Sequence, residues 1–560
     1  MSFAAGVCHT LSRVWARTCR ARARWYRLVD RHRSAPEGFL PVRLGSVPHT
    51  ARGVTHYDSC SAFDDALGQV RAALDDAGVR QLELPGEVGA RPVLVADGSR
   101  PDKIAGALQT LAQDPAWIAI VDDRWPIRHL SLHDLAKSLG ELPRRVHLTP
   151  VLAAPTGRVL TTTADAVTLE MWQMVSDTAT PRFDGGMHEP GTLVAPPGNA
   201  KYDYLTPSAW AELDANGDDV PGRLPHLLSV TEPIDAVYTW VDGKDPEWIR
   251  RRDEAIGRGD AAGVHETAIA SARFTDRDEL RYSLRSLEMY ANWINRIHIV
   301  TDGQVPDWLD TDHPRINLVD HRDIFSDPAV LPVFNSHAIE SQLHHIHGLT
   351  NRYLYFNDDV FFGRPVAPEL FFGGNGTTKF FPSSLVLEPD APSERDMPVL
   401  AAAKNNRALL EQTFGRTVTH KFAHTPHPQS KPMLLRLEES FPDVFANVAA
   451  SRFRSPQDVS IASSLHHYYA YAMGRAVPGA LRFTYRNLEE VRSPRDFARL
   501  FDEPGYDVFC LNDTHDGPGI GDRVSRLLVQ FLQSYYPLPS SFENSVHAAP
   551  ALTTEGTAPR

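Results

Sequence analysis

Cysteine is scarce in this chain of 560 residues: Cys8, Cys19, Cys60 and Cys510 are scattered, and none belongs to a C-x-x-C pair. That excludes a disulfide framework and a cysteine zinc site, and fits a reducing compartment. Long hydrophobic runs are missing as well. No stretch of about 18 apolar residues occurs, so nothing in the sequence reads as a membrane span, and the first residues lack the apolar core of a secretory signal. A basic excess is also absent from the body of the chain. The formal net charge is −13, and eight arginines between positions 13 and 33, opposed only by Asp30, leave the remainder near −20. Nucleic acid is therefore not an expected partner.

What is present is globular in composition, 42% hydrophobic and 23% charged, and too long for one ordinary core, so two or more domains are expected. Residues 1–34 read as a basic amphipathic helix. In "LSRVWARTCRARARWYRLV", Leu11, Val14, Trp15, Trp25, Tyr26 and Val29 fall roughly on one side among the arginines. That pattern suits peripheral contact of residues 9–31 with an anionic membrane surface; a solvated or self-docking basic helix is the plainer alternative. Residues 35–180 read as an N-terminal α/β domain of unassigned role, in which "PVLVAD" and "WIAIVD" alternate with helical stretches such as "DKIAGALQTLAQD" and "LHDLAKSLGEL". Residues 181–232, rich in Gly, Pro, Asp and Asn, read as a linker or irregular loops. Residues 536–560 read as a disordered tail.

Residues 233–535 carry the informative pattern. Strand-like runs "IDAVYTWVDG", "RIHIVTDG", "RINLVDH" and "RYLYFNDD" alternate with the helical stretches "RDELRYSLRSLEMY" and "SHAIESQLHHIHGL". Such alternation implies an α/β fold with a mostly parallel sheet flanked by helices. Each of these strands ends in acid: Asp242, Asp302, Asp320, and the adjacent pair Asp358 and Asp359. Singly, such residues are ordinary helix caps. Four in succession point to a shared rim, since ligands of open α/β sheets bind beyond the carboxyl ends of the strands.

Several residues could do chemistry there. Asp358 and Asp359 offer the hard oxygen ligands that Mg²⁺ or Mn²⁺ needs beside a diphosphate; the alternative is a turn cap paired with Arg364. His337, Glu340, His344 and His347 would share one face of a helix over 336–349, where histidines so spaced can converge on zinc, or merely form a polar face. His424 and His427, in "KFAHTPHPQSK", suit proton transfer or anion binding. Arg281, Arg285 and Arg454 could offer planar forks to phosphate.

At these residues the chain resembles the Stealth family of sugar-phosphate transferases. The matching stretches are "IDAVYTWVDGKDPEW", "RDELRYSLRSLEMYANWINRIHIVTDGQVPDWL", "NSHAIESQLHHIHGLTNRYLYFNDDVFFG" and the segment from His424 through Arg454 to the following helix. They are similar, in order, to the family's four conserved regions over about residues 233–475. The resemblance implies a fold akin to nucleotide-sugar transferases. It also implies a divalent metal and transfer of a sugar 1-phosphate from a UDP-sugar donor to a hydroxyl of a polysaccharide or oligosaccharide acceptor, with release of UMP. By motif it implies Glu340, Asp359, His424 and Arg454 as the catalytic set, and Trp240, Asp242 and Gly243 on the nucleotide side; the residues' own chemistry adds Asp358 and Asp359 as metal ligands and Arg281, Arg285 and Asp302 as further donor-binding groups. Either His424 or Glu340 could take the acceptor proton. A metal-dependent glycosyltransferase releasing UDP, or a metal- or carbohydrate-binding module without catalysis, would be the competing readings. Such a polymer-building enzyme is expected in the cytoplasm, with the basic helix at the inner face of the membrane.

Overall fold

The computed structural model describes residues 36–544, except for 45–46, 122–127, 133–134, 136–143, 177–184, 197–201, 216–223, 261–264, 266–267, 270, 394, 494, 503–504 and 514–520. The basic helix expected over 1–34, the "LHDLAKSLGEL" helix and the end of the tail lie mostly outside the described residues. The chain divides into two units. The first comprises residues up to Tyr57, Ala62–Glu83 and Val93–Ser208; the second comprises Asp58–Ser61, Leu84–Pro92 and the chain from Ala209. Both mix helices with sheets.

In the first unit, strands Trp117–Val121, Arg145–Pro150 and Val167–Met174 pair antiparallel in sequence, and Val93–Asp97 joins Val167–Met174 in parallel. Helix Pro101–Leu111 turns Ile104, Ala107 and Leu108 inward against Leu94, Val146 and Leu169. The stretch expected to be linker is partly regular: it contains helix Pro207–Asp214 and the two-residue strands Leu193–Val194 and Tyr204–Leu205.

The second unit is built on a five-stranded sheet. Its strands are β1 (Ile234–Thr239), β2 (Ile297–Thr301), β3 (Ile316–Asp320), β4 (Arg352–Asn357) and β6 (His427–Ser430), in the spatial order β3-β2-β1-β4-β6. The first four run parallel and β6 runs antiparallel to β4. All residues of β2 and all but the last of β1 and β4 are buried. That matches their continuous apolar runs, since a strand covered on both faces loses the alternation of a half-exposed one. From β1 the chain moves first to one side, to β2 and β3, and later to the other, to β4. The strand order therefore reverses between β1 and β4, and the crevice beyond their carboxyl ends is where such sheets bind ligands.

After β4 the chain turns at Asp358–Asp359 into β5 (Val360–Phe362). This strand pairs antiparallel with β8 (Val508–Asn512), which pairs in parallel with β7 (Phe483–Asn487). Helix α1 (Glu279–Tyr290) lies against β5: the Ser283 hydroxyl donates to the Val360 carbonyl at 2.6 Å, and Phe362 N–H donates to Ser286 Oγ at 3.1 Å. Leu280, Leu284 and Leu287 form one buried stripe, and Arg285, Ser286 and Glu288 are buried as well. A second layer covers the polar face of the helix.

That layer includes the start of the expected tail. Tyr536, Leu538 and Phe542 are buried, and Glu543 accepts from Arg281 Nε and Arg285 Nε at 2.6 Å each. Packing therefore continues past residue 535 to the end of the described chain. The helix expected over 336–349 is also shorter: α2 spans Ser336–Glu340, a separate 3-10 turn spans Leu343–His345, and His347 is exposed. The four polar residues thought to share one helical face do not share it. The helix that follows Arg454 begins only at Ile461, with Ile461–Leu465 leading into His466–Ala472.

Candidate active site

Three chain segments converge at the carboxyl end of β4. The turn "NDD" delivers Asp359 directly. Because β6 runs antiparallel to β4, with His427 opposite Tyr355, its N-terminal end sits at the rim, and the preceding loop brings His424 there. Because β8 pairs antiparallel with β5, with Cys510 opposite Val360, it brings Cys510 and Asn512 to the same carboxylate. The contacts are direct. His424 Nε2 lies 3.2 Å from Asp359 Oδ1, while the Asn512 amide donates to Asp359 Oδ2 at 2.6 Å and the Cys510 thiol at 3.4 Å.

These contacts set the charge states. Burial alone would raise the Asp359 carboxyl, but His424 and the donors from Cys510 and Asn512 outweigh it and hold Asp359 below its ordinary range. Burial would likewise lower His424, yet Asp359, with help from Glu340, raises it above the usual imidazole range. The Cys510 thiol, buried beside Asp359, is pushed well up and is not a nucleophile.

Asp358 behaves oppositely to its neighbour. Burial first, then the charges of Asp359, Glu279 and Asp276, raise it well above the carboxylate range. The same crowding reaches its companions. Burial lifts Glu279 to about 7 against the pull of Arg277, and lifts Asp276, beside Asp278, to about 6. Arg277 is the cation inside this group, and it is shared with Asp513 at 2.9 Å. Asp278, at the N-terminus of α1, holds φ +64°, an uncommon conformation for a residue with a side chain and one that clusters at functional sites.

Glu340, at the end of α2, accepts from Ser463 Oγ at 2.8 Å and from the Tyr355 hydroxyl at 3.3 Å. Arg454 donates to Ser336 Oγ at 2.5 Å; its Nε is buried with no hydrogen-bond partner, and no carboxylate of the described residues forms an ion pair with it. Arg454 and Glu340 both act electrostatically on His424. The four residues Glu340, Asp359, His424 and Arg454 therefore form one constellation.

The other expected residues divide. Trp240 is buried and its indole N–H bonds Asp276, placing it beside the acid group. Asp242 caps its own turn by accepting from Lys244 N–H at 2.8 Å. Gly243 is required by packing: its N–H donates to the Phe274 carbonyl, and a Cβ would fall 2.0 Å from that oxygen. Asp302 is paired with Arg251 at 2.7 Å, and Asp320 caps the helix His321–Ile324, so the acidic rim narrows to the β4 end. Arg281 and Arg285 were expected to hold nucleotide, but both are engaged by the buried Glu543. The alternative for Asp358 and Asp359, a turn cap paired with Arg364, is not what the structure shows, since Arg364 pairs with Asp507.

With this geometry established, comparison with known proteins is decisive. The chain matches Stealth conserved regions 1, 2, 3 and 4 at residues 232–260, 273–380, 423–471 and 498–549. The chain carries all four Stealth conserved regions. Curated relatives include an exopolysaccharide phosphotransferase of Streptomyces coelicolor, 51% identical over 319 residues, covering 57% of this chain and 53% of that protein. Another, the exopolysaccharide phosphotransferase CpsY of Mycobacterium tuberculosis, is 41% identical over 325 residues, covering 57% of this chain and 59% of CpsY. The chain thus spans about half the length of the curated relatives it matches. Among solved structures, galactosyltransferase LgtC in complex with donor and acceptor sugar analogues is 10% identical, with a TM-score of 0.26, covering 55% of this chain and 97% of that one; so low a score supports no conclusion.

The Stealth regions also correct the sequence reading. The second and third motifs identified there fall within one region, 273–380, and the fourth region, 498–549, lies beyond the residues first matched. It contributes Cys510, Asn512, Asp513 and Glu543. Its signal was legible: "FCLND" ends a strand much as "YFNDD" does.

Proposed function

We propose that this chain is an exopolysaccharide or capsular polysaccharide phosphotransferase, moving a sugar 1-phosphate from a UDP-sugar to an acceptor sugar hydroxyl and releasing UMP. The observation that carries the reading is the His424–Asp359 contact, set within reach of Arg454 and Glu340 in a chain whose relatives bear that name. With Asp359 accepting from Nε2–H of His424, Nδ1 is left to take the proton of the acceptor hydroxyl. The acceptor oxygen bonds the β-phosphorus while the bond from that phosphorus to the UMP oxygen breaks. Charge then grows on phosphoryl oxygens, where the incompletely bonded guanidinium of Arg454 stabilises it. Glu340 orients the donor or His424. Because Asp359 raises His424 above its ordinary range, turnover is expected to climb as pH rises through that value and frees the base.

The residues present fit a divalent ion. Asp276, Glu279 and Asp358, lifted first by burial and then by neighbouring carboxylate charge and with one shared arginine among them, offer the hard oxygen donors that Mg²⁺ or Mn²⁺ takes. Asp358 would hold it together with Glu279 and Asp276, while Asp359 stays with His424. When bound, the ion neutralises charge on the diphosphate. A nucleotide-sugar donor places the reaction in the cytoplasm, with residues 9–31 against the inner face of the membrane. No helix of the described residues is long and apolar enough to cross it.

The test is nucleotide product analysis. Protein is incubated with Mg²⁺ or Mn²⁺ and a panel of UDP-sugars, with and without oligosaccharide acceptors, beside Asp359→Asn and His424→Ala. UMP formed in step with a phosphodiester-linked sugar, and reduced about 10²–10⁴-fold in the variants, is expected. UDP in place of UMP refutes the proposal in favour of glycosyl transfer.

A further inference from the structure

Away from the cleft, two adjacent imidazoles and one carboxylate converge on a single point. His344 Nε2 and His345 Nε2, from the turn Leu343–His345, each lie 2.9 Å from Glu438 Oε2, on helix α3 (Lys431–Ser440). The three donor atoms lie within 4.8 Å of one another. The opposite nitrogen of His345, Nδ1, lies 3.0 Å from the Ile324 carbonyl oxygen. A carbonyl can only accept, so Nδ1 carries the proton. A neutral His345 then presents its Nε2 lone pair to a carboxylate oxygen. Two lone pairs do not sit 2.9 Å apart unless a positive species lies between them, either a second proton on the ring or a metal ion.

We propose that His344, His345 and Glu438 form a binding site for a borderline transition-metal ion, Zn²⁺ in particular, which ties the turn 343–345 to helix α3. Two imidazoles and one carboxylate are a known zinc donor set, with the fourth position left to water. Water has access here, because the side chains of His345 and Glu438 are 21% and 26% exposed while that of His344 is fully buried. The Ile324 carbonyl already supplies the outer contact that fixes a ligating imidazole in the correct tautomer. The charge states suit metal as well. Burial holds His344 below the ordinary imidazole range, so it is neutral and able to ligate. Burial would raise Glu438, but its bonds to the two imidazoles draw it down to about 2.

Two features weaken the site. His344 Nδ1 is buried with no hydrogen-bond partner, so a ligating His344 keeps an unsatisfied N–H. The Lys431 charge also acts on His344. Each costs affinity, so binding in the micromolar rather than the nanomolar range is expected. The site shares no residue with the Asp359–His424–Cys510 group, which also brings three donors together and is the competitor to be separated in the test.

The experiment uses the full chain, stripped with EDTA, dialysed, and titrated with Zn²⁺ in excess Mg²⁺ by calorimetry, with Co²⁺ absorption as a second readout. Asp359→Asn, Glu438→Gln and His345→Ala are run in parallel, each checked for fold by circular dichroism. Wild type and Asp359→Asn should retain one equivalent of Zn²⁺ and show a raised melting midpoint when it is bound. Glu438→Gln and His345→Ala should lose affinity by at least the ~10–100-fold that losing an outer partner costs, and should lose the rise in midpoint. Glu438→Gln is isosteric, so it decides the matter if His345→Ala fails to fold. Absence of Zn²⁺ binding to wild type overturns the proposal. So does an equivalent that survives in Glu438→Gln but disappears in Asp359→Asn, since that assigns the ion to the cleft.

Discussion

Replacing Glu279 with Gln should stabilise the metal-free protein, although it removes a charged residue beside an arginine. Glu279 is buried, 5% exposed, and surrounded by Asp276 and Asp358. Its carboxyl rises from an ordinary 4.5 to about 7. At about 1.4 kcal/mol for each tenfold change in proton affinity, that is roughly 3 kcal/mol of folding free energy. The fold binds this proton more tightly than the unfolded chain does, so stability is complete below the unfolded value and is lost as pH rises from about 4.5 through about 7. Above that window, wild type bears the whole cost and Gln bears none. Gln still offers an acceptor for the Arg277 N–H, and Arg277 keeps Asp513 as its counter-charge at 2.9 Å. Urea unfolding in EDTA, followed by circular dichroism and tryptophan fluorescence, should therefore show Glu279→Gln about 2–3 kcal/mol more stable than wild type at pH 8. The two should converge near pH 4.5, and added Mg²⁺ should narrow the gap at pH 8 by stabilising wild type more. A variant less stable than wild type at pH 8 in EDTA would refute the reasoning, because Glu279 would then be a structural partner of Arg277.

The correction at Arg281 and Arg285 can be checked by Glu543→Ala, which removes the carboxylate shared by the buried Arg285 and the partly buried Arg281 and should destabilise the fold by about 3–5 kcal/mol, lowering the melting midpoint while leaving donor KM unchanged. Weakened donor binding without lost stability would return both arginines to the nucleotide. Deleting residues 1–33 should abolish cosedimentation with anionic vesicles and leave solution turnover intact; undiminished vesicle binding would remove that segment from any membrane role.

The four catalytic candidates were named from the family resemblance, each standing in a contiguous motif, and the structure brings them together. Asp359 follows a buried strand, His424 precedes another, and both strands end where a parallel sheet places ligands. Asp276 and Glu279 escaped notice because they stand at the start of a helix, where an acid reads as an N-terminal cap, and only the fold turns them toward Asp358. Arg281 and Arg285 were misread for a related reason. Helical spacing places them on one face but cannot say what covers it, and here the cover is Glu543, which lies 258 residues from Arg285 in sequence. The helix over 336–349 failed because the periodicity of its histidines and glutamate continues through a break that tertiary packing imposes.

The lateness of these partners bears on how the protein is made. Asp359 meets His424 across 65 residues and Asn512 across 153, and Arg285 finds its counter-charge only in Glu543. Contacts so distant form slowly, and during synthesis they cannot form until almost the whole unit has left the ribosome. A chain cut short after the third Stealth region would keep Glu340, Asp359, His424 and Arg454, yet it would leave Arg285 without its counter-charge and Asp359 without its amide donor. Such a product is expected to be cleared by proteases rather than to persist as a weakened enzyme, so activity should be nearly all-or-none with respect to chain completion.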